Sequence, residues 1–174
     1  MLFRSLRGER RETDPLILGG GVCTLNPAPV AEFFDALLIG DGEEAVLEIV
    51  DRVEEWKRQD GNREALLRGL SEIEGVYVPG ISAKVSRRIL PDLKDSPLIP
   101  SPILPAMRIV HDRLSIEIAR GCTRGCRFCQ AGYVYRPVRE RDPLLLLRYL
   151  QEVDRKSTRL NSSHMSESRM PSSA

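Results

Sequence analysis

Short apolar runs and glycines alternate through the first half of the chain. Residues 15–21 read Pro-Leu-Ile-Leu-Gly-Gly-Gly, which predicts a buried strand ending in a tight turn. Asn26-Pro27-Ala28-Pro29 punctuates the chain, and Pro29 suits the first turn of a helix running through Phe34, where its missing amide costs nothing. Ala36–Ile39 is a second apolar run, closed by Gly40-Asp41-Gly42. From Glu43 to Arg58 apolar residues recur at Val46, Leu47, Ile49, Val50, Val53 and Trp56, which is helical spacing. Glu43 and Glu44 suit the positive end of that helix dipole, and Lys57 and Arg58 the negative end. Asp60-Gly61-Asn62 breaks the helix. Arg63–Leu70 then reads as a shorter helix, and Gly75–Pro79 as a strand and exit. This order is the grammar of a doubly wound α/β sheet, whose ligands lie beyond the carboxyl ends of its strands.

The second half has a different texture. Residues 81–90 predict a small strand or hairpin arm. Residues 91–105 hold Pro91, Pro97, Pro100, Pro102 and Pro105, the composition of an extended, semi-rigid connector. Arg113–Ala119 alternates apolar and polar, which predicts a strand. A loop of cysteines, glycines and arginines follows. Pro143 with Leu144–Leu147, Tyr149 and Leu150 predicts the start of a helix, and there is no internal repeat.

Composition narrows the class. The 174 residues carry 26 Lys+Arg against 25 Asp+Glu, so net charge gives no argument for a nucleic-acid or acidic partner. With 41% hydrophobic and 29% charged residues the chain reads as soluble and globular. No apolar run approaches the roughly 20 residues that cross a bilayer, and no signal peptide opens the chain. Four cysteines, three of them within eight positions, suggest metal binding in a reducing cytoplasm rather than a disulfide scaffold. Both ends look foreign. Back-translation of Asp154–His164 fits a short-read sequencing adapter, Met165–Ala174 fits its continuation, and Leu2–Ser5 fits the opposite adapter end. Residues 1–5 and 154–174 are therefore expected to be translated adapter. Residues 6–153 remain, with His111 as their one histidine.

The chemistry concentrates in Cys122-Thr123-Arg124-Gly125-Cys126-Arg127-Phe128-Cys129. Three thiols at offsets of four and three, in one loop after a strand, can all be aimed at one centre. Thiolates are soft ligands that favour iron–sulfur clusters, zinc or copper(I). Structural zinc usually takes four ligands, and the fourth cysteine, Cys23, lies far upstream, where it reads as a small buried residue. Three cysteines fit a [4Fe-4S] cube with one iron open to another ligand.

Cys-x3-Cys-x-aromatic-Cys after a strand resembles the signature of the radical SAM superfamily. Glu117–Pro143 resembles a narrower group, B12-binding-type radical SAM proteins of unassigned substrate. Residues 14–50 resemble the latter half of that group's cobalamin-binding-like domain. The resemblance implies that Cys122, Cys126 and Cys129 each ligate one iron, and that the fourth iron binds S-adenosylmethionine. Reduction would cleave S-adenosylmethionine to methionine and a 5′-deoxyadenosyl radical that abstracts hydrogen from substrate. Phe128 corresponds to the aromatic near the cluster and the adenine. The fold implied is α/β: a partial doubly wound, cobalamin-binding-like sheet, then the first β/α unit of a radical SAM partial TIM barrel beginning at Arg113–Ala119. Residues 6–80 would be the sheet domain, 81–110 a proline-rich linker and 111–153 the start of the barrel.

Other residues carry two readings. Gly19, Gly20, Gly21, Gly40 and Gly42 could line a cobalamin tail or serve as ordinary turns. The Asp-x-His-x-x-Gly loop of cobalamin ligation is absent, and His111 reads as structural. Arg120, Arg124, Arg127, Arg136, Arg139 and Arg141 could offset cluster charge and contact an anionic cofactor or substrate, or could be solvated charges paired with Glu140 and Asp142. The functional reading is favoured for Arg120 and Arg136. Tyr133 and Tyr135 do not suffice for a nucleic-acid groove. The expected parent is a radical SAM enzyme with an unknown substrate and an electron donor such as a flavodoxin or ferredoxin. Methyl or methylthio transfer is suggested by superfamily analogy alone. The chain by itself is expected to be inactive and poorly soluble. The alternative is a non-catalytic zinc- or Fe-S-bearing module that binds an anionic partner.

Overall fold

The computed structural model describes residues 6–59, 61–99, 107 and 115–157. His111, residues 1–5 and residues 158–174 lie outside the described residues. The chain divides into two compact units between Pro91 and Asp92, inside the segment expected to be a connector.

In the first unit β1 (Leu18–Gly19), β2 (Ala36–Leu38) and β3 (Val76–Tyr77) form a sheet in that order. The helices α1 (Ala45–Arg58) and α2 (Arg63–Ser71) connect β2 to β3. The strands sit within the predicted apolar runs, and both helices lie close to their predicted limits. Asn62 caps α2 by accepting the Ala65 amide at 2.8 Å, and the Trp56 indole donates to the Asn62 carbonyl at 2.9 Å, which fixes the turn between the helices. Their inner faces join the sheet in a core of Ala36, Ile49, Leu66, Leu70, Ile73, Val76 and Val78, with Val53 and Trp56 packed against it. The apolar stripe of α1 is only partly used, since Val46, Leu47 and Val50 are exposed.

Strand direction is one correction to the expectation. β1 and β2 run parallel, but β2 and β3 run antiparallel, so the described sheet is mixed. A single crossover helix returns the chain for a parallel strand. Two helices in succession traverse the sheet twice, so the next strand enters from the opposite end. Residues 81–90 form no hairpin arm either. Arg88 makes a single parallel bridge with Gly40: its amide donates to the Ile39 carbonyl at 2.9 Å, and its carbonyl accepts the Asp41 amide at 3.0 Å. Its guanidinium reaches Glu44 at 2.8 Å and Glu48 at 2.7 Å. Hydrogen bonds to Glu44, then Glu48, raise the Arg88 pKa above its ordinary value.

In the second unit Asp92 caps a 3-10 turn at Leu93–Asp95 by accepting the Lys94 amide at 2.9 Å. The strand expected over Arg113–Ala119 is described as β4 (Ala119–Arg120), with residues 113–114 outside the described residues. β4 pairs antiparallel with β5 (Arg139–Glu140), so this pair is a closed loop and not two neighbouring parallel barrel strands. The short helix α3 (Ala131–Val134) lies between them. The helix α4 (Pro143–Ser157) begins at Pro143 as predicted, and it runs past Asp154, where the foreign tail was expected to start.

Candidate metal centre

The cysteine loop leaves β4 through Gly121 and returns through α3 to β5. Gly121 has φ +91°, and a side chain there would meet the carbonyl oxygens of Tyr135 at 2.6 Å and Pro137 at 3.0 Å. Gly125 has φ +61°, and its carbonyl accepts the Tyr133 hydroxyl at 3.3 Å. These are the residues just before Cys122 and Cys126. Only glycine takes both backbone angles at little cost, and only glycine lets the loop lie so close to 135–138. Cys129 is placed by a turn in which its amide donates to the Cys126 carbonyl at 3.1 Å. One stretch, residues 131–138, thus backs the positions that present two of the three sulfurs.

All three thiols are free; Cys126 is exposed, and Cys122 and Cys129 are half-buried. The Arg124 amide lies 3.4 Å from Cys122 Sγ and donates to it. The donor set suits a thiolate-held iron–sulfur group, with three reduced sulfurs on one braced loop. The sulfurs are not drawn together, however. Among the described residues no three His, Cys, Asp or Glu side chains stand close enough to hold a metal ion. Phe128 is 92% exposed.

The arginines separate into distinct roles. Arg120 is paired at 2.7 Å with Glu117, and it also reaches the Ser96 hydroxyl at 3.3 Å. Arg141 is buried: Nη1 donates to the carbonyls of Leu93 and Ser96, each at 2.7 Å, and Nε donates to the Glu117 carbonyl at 3.0 Å. Arg139 is also buried, and its Nε donates to the Pro137 carbonyl at 3.2 Å. Arg136 stacks on the Tyr133 ring, 5.2 Å from its centroid. Arg124 and Arg127 are exposed. The sequence suggested Glu140 and Asp142 as carboxylate partners, and Glu117 is a partner of Arg120 that it did not name. The signal for it was present, because Glu117 and Arg120 stand three apart. Nothing local marked Arg141 as a buried staple.

In the first unit the parallel pairing of β1 and β2 brings Gly20–Gly21 and Gly40–Gly42 to the carboxyl ends of the two strands, side by side. The buried Thr24 hydroxyl ties them, at 2.7 Å from both the Gly21 and Leu38 carbonyl oxygens. Packing accounts for two of the five glycines: a side chain at Gly19 would meet Leu37 and Phe34, and one at Gly40 would strike the Arg88 backbone. Gly42 is in ordinary contact with Leu38, and nothing lies within 4 Å of a side chain built at Gly20 or Gly21. Cys23 also departs from the expectation. It is exposed, because Thr24 takes the inward position of the 3-10 turn Val22–Leu25.

No helix among the described residues is long and apolar enough to cross a membrane. No solved structure matches the chain. An uncharacterized protein of Methanocaldococcus jannaschii is 32% identical over 166 residues, covering 92% of this chain, which spans 32% of that protein's length. That share of this chain extends beyond residues 6–153. Residues 3–79 match a family described as radical SAM proteins, N-terminal, and this match supports placing the chain in the radical SAM superfamily.

Proposed function

We propose that the chain is part of a radical SAM enzyme in which Cys122, Cys126 and Cys129 hold a [4Fe-4S] cluster that binds S-adenosylmethionine. The observation that carries this reading is the glycine-braced loop. Cys122 and Cys126 each follow a left-handed glycine, and both glycines lie against the 131–138 segment. When bound and reduced by an external one-electron donor, the cluster would supply the electron that breaks the sulfonium C–S bond of S-adenosylmethionine, giving methionine and a 5′-deoxyadenosyl radical. The protein's part is to fix three thiolates and to leave one coordination position open. The glycine turns at 121 and 125 support this reading, and convergence of the sulfurs is expected to accompany metal uptake, because ligation supplies the energy that orders a site. Phe128 is exposed beside Cys129 and free to cover a planar ligand.

The reading of the first unit as a corrinoid-binding domain rests on the glycine turns that lie side by side at the carboxyl ends of β1 and β2. Gly20 and Gly21 have the open space there that a ligand needs, whereas Gly19 and Gly40 are already filled by neighbours. The substrate belongs to the longer protein.

Anaerobic reconstitution with iron and sulfide tests the main reading. The chain should take up about four irons with sulfide and show thiolate-to-iron absorption. Cys126→Ala should abolish that uptake. Added S-adenosylmethionine should alter the electron paramagnetic resonance signal of the reduced wild type. One zinc per chain, with no iron uptake, would instead support a non-catalytic binding module whose exposed Arg124 and Arg127 meet an anionic partner.

A further inference from the structure

We propose that Tyr133 and Arg136 are positioning residues that clasp the cysteine loop at Gly125 and limit the swing of the Cys122–Cys126 span, so that the sulfurs converge on a metal group at smaller entropic cost. The inference rests on the functional reading above. The sequence favoured Arg136 as a contact for an anionic cofactor or substrate. The geometry gives it a different neighbour.

Three groups lie around Gly125. Tyr133 donates its hydroxyl to the Gly125 carbonyl at 3.3 Å. The buried Gly132 lies against the Gly125 backbone, since a side chain built on Gly132 would meet Gly125 N at 3.6 Å and Cα at 3.7 Å. Arg136 lies across the Tyr133 ring with Nη2 only 3.8 Å from the point where a Gly125 side chain would begin. Tyr133 and Arg136 therefore form one assembly. The guanidinium orients the ring by cation–π contact, and the ring's hydroxyl holds the loop.

The physical need is clear. A loop with glycines at 121 and 125 has more backbone freedom to lose than one of substituted residues. Gly121 is confined by the carbonyls of Tyr135 and Pro137. Gly125, midway between Cys122 and Cys129, is confined by the clasp. Without it the span between the first two sulfurs is free to swing. The Arg136 charge also sits against a loop that becomes anionic when three thiolates bind metal, where a cation is favourable.

Cobalt(II) titration of the full chain, followed by thiolate-to-cobalt absorption, tests this together with amide hydrogen exchange of the metal-free protein. Tyr133→Phe removes the hydroxyl bond alone. Arg136→Gln removes the charge and the stack, and Arg136→Lys restores the charge without the planar stack. Tyr133→Phe and Arg136→Gln are each expected to weaken cobalt binding about tenfold or more, the range typical of groups that orient metal ligands. Both should speed exchange over residues 121–130 and leave α2 unchanged. Arg136→Lys should recover part of the lost affinity. Wild-type cobalt binding and loop exchange retained in both variants would overturn the clasp while leaving the functional reading intact. Faster exchange in α2 as well as the loop also counts against it, as a general loss of stability. Failure of the wild type to bind either cobalt or iron would overturn the functional reading itself.

Discussion

In the first unit Leu37, Leu66, Leu70, Val76 and Val78 are 2% exposed or less, and buried apolar residues run from Ala36 to Leu90. In the second unit the buried apolar residues among those described are Leu93 and Val153, while the buried polar ones are Ser96, Arg139 and Arg141. One region is held by a hydrophobic core, the other largely by arginines bonded to backbone carbonyls. The two regions are ordered by different forces. Apolar burial is non-directional and tolerates little change of volume. Hydrogen bonds from a buried guanidinium fix particular carbonyl oxygens in space, here those of Leu93, Ser96, Glu117 and Pro137. The first unit has a charged feature of its own. Asp35 Oδ2 lies 2.8 Å from Arg10 and 3.0 Å from Arg63, and it accepts the Ile17 amide at 2.8 Å. That carboxylate ties the 7–17 segment to the start of α2, at the margin of an otherwise apolar core.

The contrast can be broken by substitution. Leu70→Ala, in the centre of the first core, should cost about 2–5 kcal/mol in denaturant unfolding, because a cavity is left behind. A cost below about 1 kcal/mol would mean that the core does not hold this unit. Arg141→Met keeps much of the volume and leaves the Leu93 and Ser96 carbonyls without their donor. It should destabilise the second unit by about 2–3 kcal/mol, read as faster amide exchange over residues 92–96 and 139–141. A neutral result would show that the second unit does not depend on its arginine staple.

Smaller effects sharpen the comparison at the surface. Arg88→Met removes ion pairs to Glu44 and Glu48, whose side chains are 51% and 44% exposed. The loss should be about 1 kcal/mol or less and should shrink as salt is raised in thermal melts. A large, salt-independent loss would instead make Arg88 part of the core. The smallest effect lies at Asp92. The Lys94 amide hydrogen bond, and then the Lys94 side chain, lower the Asp92 pKa below its ordinary value. A carboxylate lowered on folding contributes stability that is complete above its unfolded pKa of about 3.9 and disappears as pH falls through the lower folded value. A carbon-13 titration of Asp92 should therefore show a midpoint below that of an unstructured aspartate, with the 3-10 turn loosening at the same pH. A midpoint at or above the unstructured value would remove the cap from the account.

Local elements were legible because their causes are local. The α1 spacing and end charges lie within one segment, and the observed Ala45–Arg58 follows the predicted Glu43–Arg58 closely. Pro143 marked the start of α4 for the same reason. The cysteine loop was visible as a string, since three like ligands within eight residues need no tertiary information to be noticed. Leu47 shows the limit: periodicity names an apolar stripe, but contacts elsewhere decide which part is covered, and Leu47 is 65% exposed.

Local sequence set where strands, helices and turns begin and which residues can offer sulfur. Tertiary structure decided the antiparallel entry of β3, the approach of Arg88 that makes Gly40 obligatory, the burial of Arg141 and the closure of Tyr133 and Arg136 over Gly125. Helix ends and turns are governed by interactions within a few residues. Strand direction, burial and the choice of partner for a long flexible cation depend on segments tens of residues away, and their positions exist only once the chain has folded.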